Sequence, residues 1–278
     1  MFASKLTGTE AKPIHVRAAH GERPVIDVNV ASIKRREVVI NGAYAWYWNL
    51  EVLDSDPKRE GQTAGSAPSD IGRILSSLVV FGHHVKVINP ITHDLGNGIS
   101  FWEKAIDSEI YGAITFNNGW NGPDRGHGHG IYTQNNLGTK SIREVISFNN
   151  FSSGTQVYGS NGQANGYSLD GFISFNNGSP SAILSRDPNI RESNLLVGSS
   201  KNPSDRIKIA NSHLYYPVDN YAYNLRLGYY APNSRGREGR KTLISFVVKK
   251  PSSLETGRRL CLEATPCGSL LRRELAPS

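Results

Sequence analysis

The ten residues Trp120-Asn-Gly-Pro-Asp-Arg-Gly-His-Gly-His129 gather Asp124, Arg125, His127 and His129 behind a tryptophan. His-x-His at a strand entry places two imidazoles on one side, as a general base, a substrate contact or a metal would require. Two histidines without a third ligand do not complete a metal site, and none is expected. The same residues also suit a tight loop packed by histidine and glycine around an Asp124–Arg125 turn. A carboxyl cluster lies just upstream, at Asp94, Glu103, Asp107 and Glu109, and Asp107 and Glu109 share a face if the chain is extended. Hydrolysis of a glycosidic bond needs two carboxylates about 5–9.5 Å apart, one with a raised pKa. Elimination beside a uronate needs a cation, from Arg or bound calcium, to neutralise the carboxylate, and a base for the adjacent proton. The acid cluster would supply the first chemistry, and Arg125 with His129 or Tyr132 the second. His127 and the acidic residues remain open to solvated or packing roles.

A recurring strand-and-turn unit must position these groups. It reads Ala113-Ile-Thr-Phe-Asn-Asn118, Val145-Ile-Ser-Phe-Asn-Asn150 and Phe172-Ile-Ser-Phe-Asn-Asn177, and more loosely Asn89-Pro-Ile-Thr-His-Asp94. The central residues Ile91, Phe116, Phe148 and Phe175 lie 25, 32 and 27 residues apart. Periods of about 20–50 residues mark solenoids and repeat arrays. Units of short alternating strands broken by Gly and Asn predict a β-solenoid with one coil per repeat. The phenylalanines are expected inside, and Asn118, Asn150 and Asn177 in a ladder at a turn.

A second strand follows each Asn turn, at Gly98-Ile-Ser-Phe-Trp102, Gly130-Ile-Tyr-Thr-Gln134 and Gly154-Thr-Gln-Val-Tyr158. If Ile99, Ile131 and Thr155 point inward, alternation sends Ser100, Tyr132 and Gln156 outward in one column and Trp102, Gln134 and Tyr158 in the next. Flat aromatic faces with amides beside them suit a saccharide, whose apolar side stacks while its hydroxyls are bonded; they also suit an ordinary solvated sheet. The 120–129 segment is an insertion entering beside this strip, which adds Trp120 to the candidate contacts. Inserted loops on a rigid scaffold are where function tends to sit.

Composition narrows the classes. The formal charge is +7, but residues 231–278 hold 10 Lys+Arg against 4 Asp+Glu, leaving 21 basic and 20 acidic residues in 1–230. With no basic stripe on the repeat body, no nucleic-acid partner is expected. Cys261 and Cys267 both fall in the same tail, so neither a disulfide framework nor a thiolate metal site holds the body. No run of about 18 apolar residues predicts a membrane span. Met1–Leu6 lacks the charged start and apolar stretch of a signal peptide, which fits an intracellular protein or a start inside a longer precursor. The expected organisation is a first, incomplete coil over 1–36, the solenoid over 37–230, and a non-repeat basic tail over 231–278. That tail fits a disordered segment, a shifted reading frame or a cap.

Together these residues resemble the right-handed parallel β-helix superfamily of pectate-lyase-like enzymes. Thr9-Glu-Ala-Lys-Pro-Ile-His-Val-Arg-Ala and Gly21-Glu-Arg-Pro-Val-Ile-Asp look like the first coil of polysaccharide lyases of the alginate-lyase and chondroitinase-B type. No motif here matches the Lys and Arg pair of the latter. The resemblance implies an all-β, right-handed parallel β-helix and an extracellular or periplasmic location. The expected function is a carbohydrate-active protein, a polysaccharide lyase or glycoside hydrolase binding an extended glycan along one face as a monomer. The other reading is a non-catalytic glycan-binding or surface-structural β-helix. The candidate catalytic residues are His129, Arg125, His127, Asp107 and Glu109, and the candidate substrate contacts Trp102, Tyr132, Gln134, Tyr158 and Trp120. No cofactor is called for, with calcium the one candidate.

Overall fold

The computed structural model describes residues 2–30, 35–159, 163–178, 192–199, 204–215 and 223–227, and the backbone of the strand Ile244–Val247. The chain winds through three parallel sheets, giving one strand to each per turn. The first sheet stacks Phe2–Ser4, Glu37–Ile40, Ser77–Val80, Ile99–Phe101, Ile131–Thr133, Thr155–Gly159, Ser193–Ser199 and Tyr223–Leu227. The second holds Ile14–Arg17, Ala45–Trp48, Lys86–Ile88, Glu109–Tyr111, Lys140–Arg143, Asn165–Asp170, Asp205–Ala210 and Ile244–Val247. The third runs from Val25–Asp27 through Glu51–Leu53, Ile91–His93, Ile114–Phe116, Ile146–Phe148 and Ile173–Phe175 to His213–Tyr215. This is a right-handed parallel β-helix, the hand that connections between parallel strands of one sheet take. The one helical element among the described residues is the 3-10 turn Gly72–Leu75.

The Phe-Asn-Asn signature explains one corner of three consecutive coils. Its first Asn (Asn117, Asn149, Asn176) takes a left-handed backbone, with φ of 51°, 53° and 56°, which Asn tolerates better than most residues. The second Asn then turns inward. Asn118 Nδ2 donates to Asn150 Oδ1 at 2.9 Å, Asn150 to Asn177 at 2.7 Å, Asn177 to Asn194 at 2.8 Å and Asn194 to Asn224 at 3.0 Å. Asn118, Asn150 and Asn177 are fully buried, so the ladder satisfies amides that would otherwise cost free energy at each coil.

The phenylalanines align as expected but on the opposite face. Thr92, Thr115, Ser147 and Ser174 point inward at 0% exposure, and Phe116, Phe148 and Phe175 stack outside, with centroids 5.2 and 5.1 Å apart and rings within 7° of parallel. The Asn ladder is the physical reason. Ser147 Oγ and Ser174 Oγ each accept from the Asn three residues on, at 3.1 and 3.0 Å, and Thr115 bonds Ser147 at 2.9 Å. This polar corner has room for a small hydroxyl, not for a ring. The apolar core comes instead from the first two sheets, through residues such as Ile99, Phe101, Ile131, Val157, Leu195, Ile110, Ile142 and Leu169.

Two further features complete the fold. Each coil has three strands, because short segments such as Glu109–Tyr111 form a sheet of their own. Within 231–278, expected to be a disordered segment, a shifted frame or a cap, the strand Ile244–Val247 pairs in register with Ile207–Ala210; the rest of 231–278 lies outside the described residues.

Candidate active site on the first sheet

Alternation along the first sheet places the predicted columns where the sequence puts them. Ile99, Phe101, Ile131, Thr133, Thr155 and Val157 are buried, and Ser100, Tyr132 and Gln156 are consecutive register partners on the outer side. Trp102 meets Tyr132 edge-on, with centroids 5.3 Å apart. Tyr158 lies beside Gln156 at the same wall. Gln134 sits behind Tyr132 and hydrogen-bonds with it. Beneath this platform, Lys140 reaches from the second sheet, fully buried, and its Nζ donates to the carbonyls of Phe101, Trp102 and Gln134. Burial drives that amine well below its ordinary pKa. Its role is to hold the ends of two platform strands.

Two connections from the third sheet back to the first, residues 54–76 and 117–130, rise over this platform and brace each other. In the second, Trp120–Asn121 pairs with Gly126–His127 as a small hairpin. Its base closes where Gly128, with φ of 86°, crosses Gly119; a Cβ on Gly128 would lie 2.4 Å from the Gly119 Cα and 2.1 Å from the Gly96 carbonyl oxygen. In the first, Arg59 donates to the Asn117 and Gly119 carbonyls and pairs with Asp94. The backbones join as well, Asn121 N–H to Arg59 O and Gly61 N–H to Asn121 O, both at 2.8 Å. Arg73, fully buried, fastens the 54–76 segment through the Lys58, Asp94 and Asp56 carbonyls. Arg125 is held over the site by Ser66 Oγ at 2.9 Å.

Platform and wall enclose a cavity of about 570 Å³, whose lining includes Trp102, Trp120, Arg125, His127, His129, Tyr132, Gln156, Tyr158 and Glu192. Burial lifts the Tyr132 phenol above its ordinary pKa, against hydrogen bonds with Gln134 and Gln156 that lower it, so it stays protonated at neutral pH. Trp120 is buried, and its Nε1–H has no partner among the described residues.

The two histidines separate into different roles. His127 is buried in the hairpin, stacked on Trp120 at 5.0 Å, with Nε2 3.0 Å from Asp124 Oδ1; it packs the loop. His129 faces the cavity 5.3 Å from Tyr132. Its Nδ1 accepts the Ser153 N–H at 3.2 Å, so the neutral ring carries its hydrogen on Nε2. Burial, with Arg125 and His127 adding to it, pushes its pKa down to about 3. With Nδ1 engaged by Ser153, the neutral ring of His129 has its Nε2–H as the hydrogen it can donate. Among the described residues no cluster of three or more His, Cys, Asp or Glu could hold a metal ion.

Asp107 and Glu109 lie apart from the cavity. After Trp102 the chain turns a corner, where Asp107 Oδ1 caps the Thr139 N–H at 2.8 Å. Glu109 is on the second sheet, paired with Lys86 at 3.1 Å and with Arg143. Burial raises the Glu109 carboxyl, but these two cations outweigh it and hold it below its usual range. A stabilising ion cluster is the better description of it.

One carboxyl of the cavity escaped sequence reasoning. Glu192 is 8% exposed and accepts from Ser152 Oγ at 2.5 Å. Burial pushes its pKa up to about 7, against lowering by the Ser152 bond, the charges of Arg125 and Arg226, and the Ser153 bond. Strand register was the available signal: Gly130, Gly154 and Asn194 precede paired strands, and two residues earlier stand Gly128, Ser152 and Glu192.

The fold and cavity define a parallel β-helix with one walled, aromatic face. No family model matches the chain, and no curated protein matches it. Among solved structures it is similar to the crystal structure of pectate lyase Pel9A, with a TM-score of 0.49 and 13% identity over 84% of this chain and 64% of that one. The chain thus spans less than two thirds of the length of that structure. No helix among the described residues is long and apolar enough to cross a membrane.

Proposed function

We propose that the protein is a polysaccharide-degrading enzyme that binds an extended glycan along the first sheet, and that it acts as a lyase on a uronate-containing polymer. The observation that carries this reading is the joining of an aromatic platform to Arg125 in one cavity, under a wall that two connections cooperate to build. Trp102, Tyr132 and Tyr158 offer ring surface for the apolar side of a sugar, and Gln156, His129 and Trp120 offer polar hydrogens and acceptors for its hydroxyls. Arg125 suits a uronate carboxylate, which its planar fork binds bidentately.

Elimination is favoured over hydrolysis by the carboxyl count. Hydrolysis uses two carboxyls about 5–9.5 Å apart, and among the described residues Glu192 alone lines the cavity. Elimination needs one neutralised carboxylate, one proton acceptor and one donor to the leaving oxygen. The Tyr132 phenol, kept protonated by burial, suits the last task.

A panel of neutral and uronate-containing polysaccharides tests the reading, with ultraviolet absorbance reporting unsaturated products and a reducing-end assay reporting hydrolysis. Absorbing products from a uronate polymer are expected. Reducing ends without absorbance would make the enzyme a hydrolase, and tight binding without either product would make it a glycan-binding protein.

A further inference from the structure

We propose that Glu192 is the catalytic proton acceptor of this cavity, removing the proton from the carbon beside a uronate carboxylate that Arg125 neutralises. The proposal rests on the lyase reading above. Six groups in or under the cavity can exchange a proton; the Tyr132 and Tyr158 phenols are poorer acceptors than a carboxylate, and His127 Nε2 is engaged by Asp124 Oδ1 at 3.0 Å. His129 has its free lone pair engaged by the Ser153 N–H. Lys140 is enclosed beneath the platform with Nζ on three carbonyls. Tyr132 is protonated at neutral pH and can only give.

Glu192 remains, and it is held as a proton-transfer group must be. It stands in the corner column Gly128–Ser152–Glu192, beside the column His129–Ser153. Ser152 Oγ fixes one carboxylate oxygen, and Gly178 lies so close that a Cβ there would fall 2.2 Å from the Glu192 Cβ. The charged groups that reach it are Arg125 of the wall and Arg226 of the next coil, and the hydroxyls are Ser152 and Ser153; His129, one column away, is neutral. Burial prevails over all four and leaves the carboxyl at about 7, where it accepts and releases a proton readily.

The step balances. Glu192 takes the proton, and the C–H electron pair becomes the new C=C bond. The neighbouring bond to the glycosidic oxygen breaks with its pair on that oxygen, which takes the Tyr132 proton. Solvent then restores both side chains.

The test compares wild type, Glu192→Gln and Ser152→Ala on the uronate polymer that the wild type degrades, by binding titration, initial rates across pH, and circular dichroism. Glu192→Gln is expected to keep its affinity and lose about 10²–10⁴-fold in turnover. The wild-type rate should fall as pH drops below about 7. In Ser152→Ala, which lacks a hydroxyl favouring the ionised carboxyl, that limb should move to higher pH. If Glu192→Gln fails to fold, the Ser152→Ala shift decides. Turnover retained in Glu192→Gln, or a limb unmoved in Ser152→Ala, overturns the proposal and leaves the lyase reading standing. A wild type that cleaves no uronate polymer overturns both.

Discussion

Two faces of the same solenoid carry aromatic rings outside, and they use them differently. On the third sheet His93, Phe116, Phe148 and Phe175 stack face to face, with centroids 4.8, 5.2 and 5.1 Å apart and interplanar angles of 9° or less. Each ring covers its neighbour, so the stack satisfies itself and leaves only edges to solvent. On the first sheet Trp102 and His129 both meet Tyr132 at more than 60°. Rings set edge to face expose a π-surface beside their polar atoms. The same residue class therefore stabilises one sheet and prepares the other for a ligand. Arg125 and the two bracing connections complete that difference, since they rise over the first sheet.

The sharpest way to break the comparison is to attack what both faces share. Asn150→Ala removes the amide that bonds Asn118, Asn177, Ser147 and Thr115 and orphans buried partners. A loss of roughly 3–5 kcal/mol is expected by chemical denaturation, with no selective effect on the cavity. A smaller change would mean that water replaces the ladder.

Glu192 gives the next largest effect, and its sign is informative. The folded state holds that proton more tightly than the unfolded chain, so stability is lost as pH rises from the unfolded value toward the folded one. Moving the carboxyl from 4.5 to about 7 corresponds to roughly 3 kcal/mol above pH 7. Glu192→Gln should therefore raise the melting temperature at pH 8 and change it little at pH 4. Equal shifts at both pH values would contradict a protonated, buried carboxyl.

Trp102→Ala and Phe148→Ala form the matched pair. The first should weaken glycan binding by roughly 1–3 kcal/mol with little change in folding, and the second should cost a similar amount of stability with binding intact. If the two profiles are exchanged, the glycan face has been assigned to the wrong sheet. The smallest effect belongs to Glu109→Gln, about 1 kcal/mol of stability at most from its half-exposed cationic partners, with turnover unaffected.

Much of this was legible in the sequence, for physical reasons that also set its limits. Repetition of Phe-Asn-Asn fixed the coil and the ladder, because an amide must meet its copy one turn away. Alternation in Gly130-Ile-Tyr-Thr-Gln134 gave the outward column correctly. In Ile114-Thr-Phe116 alternation fixed which residues share a face, but not which face is inside. Hydrophobicity pointed to the rings, whereas the space left by the Asn corner decided for Thr115. Glu192 was hidden because its partner Ser152 is 40 residues away, and only the strand register joins them.

The most direct measurement is a crystal structure of Glu192→Gln with an oligosaccharide of the degraded uronate polymer. Sugar rings are expected against Trp102 and Tyr132, with a carboxylate at Arg125 and the adjacent C–H facing residue 192. Sugar lying along the Phe116–Phe148–Phe175 stack, or bound in the cavity with its carboxylate turned away from Arg125, would contradict it.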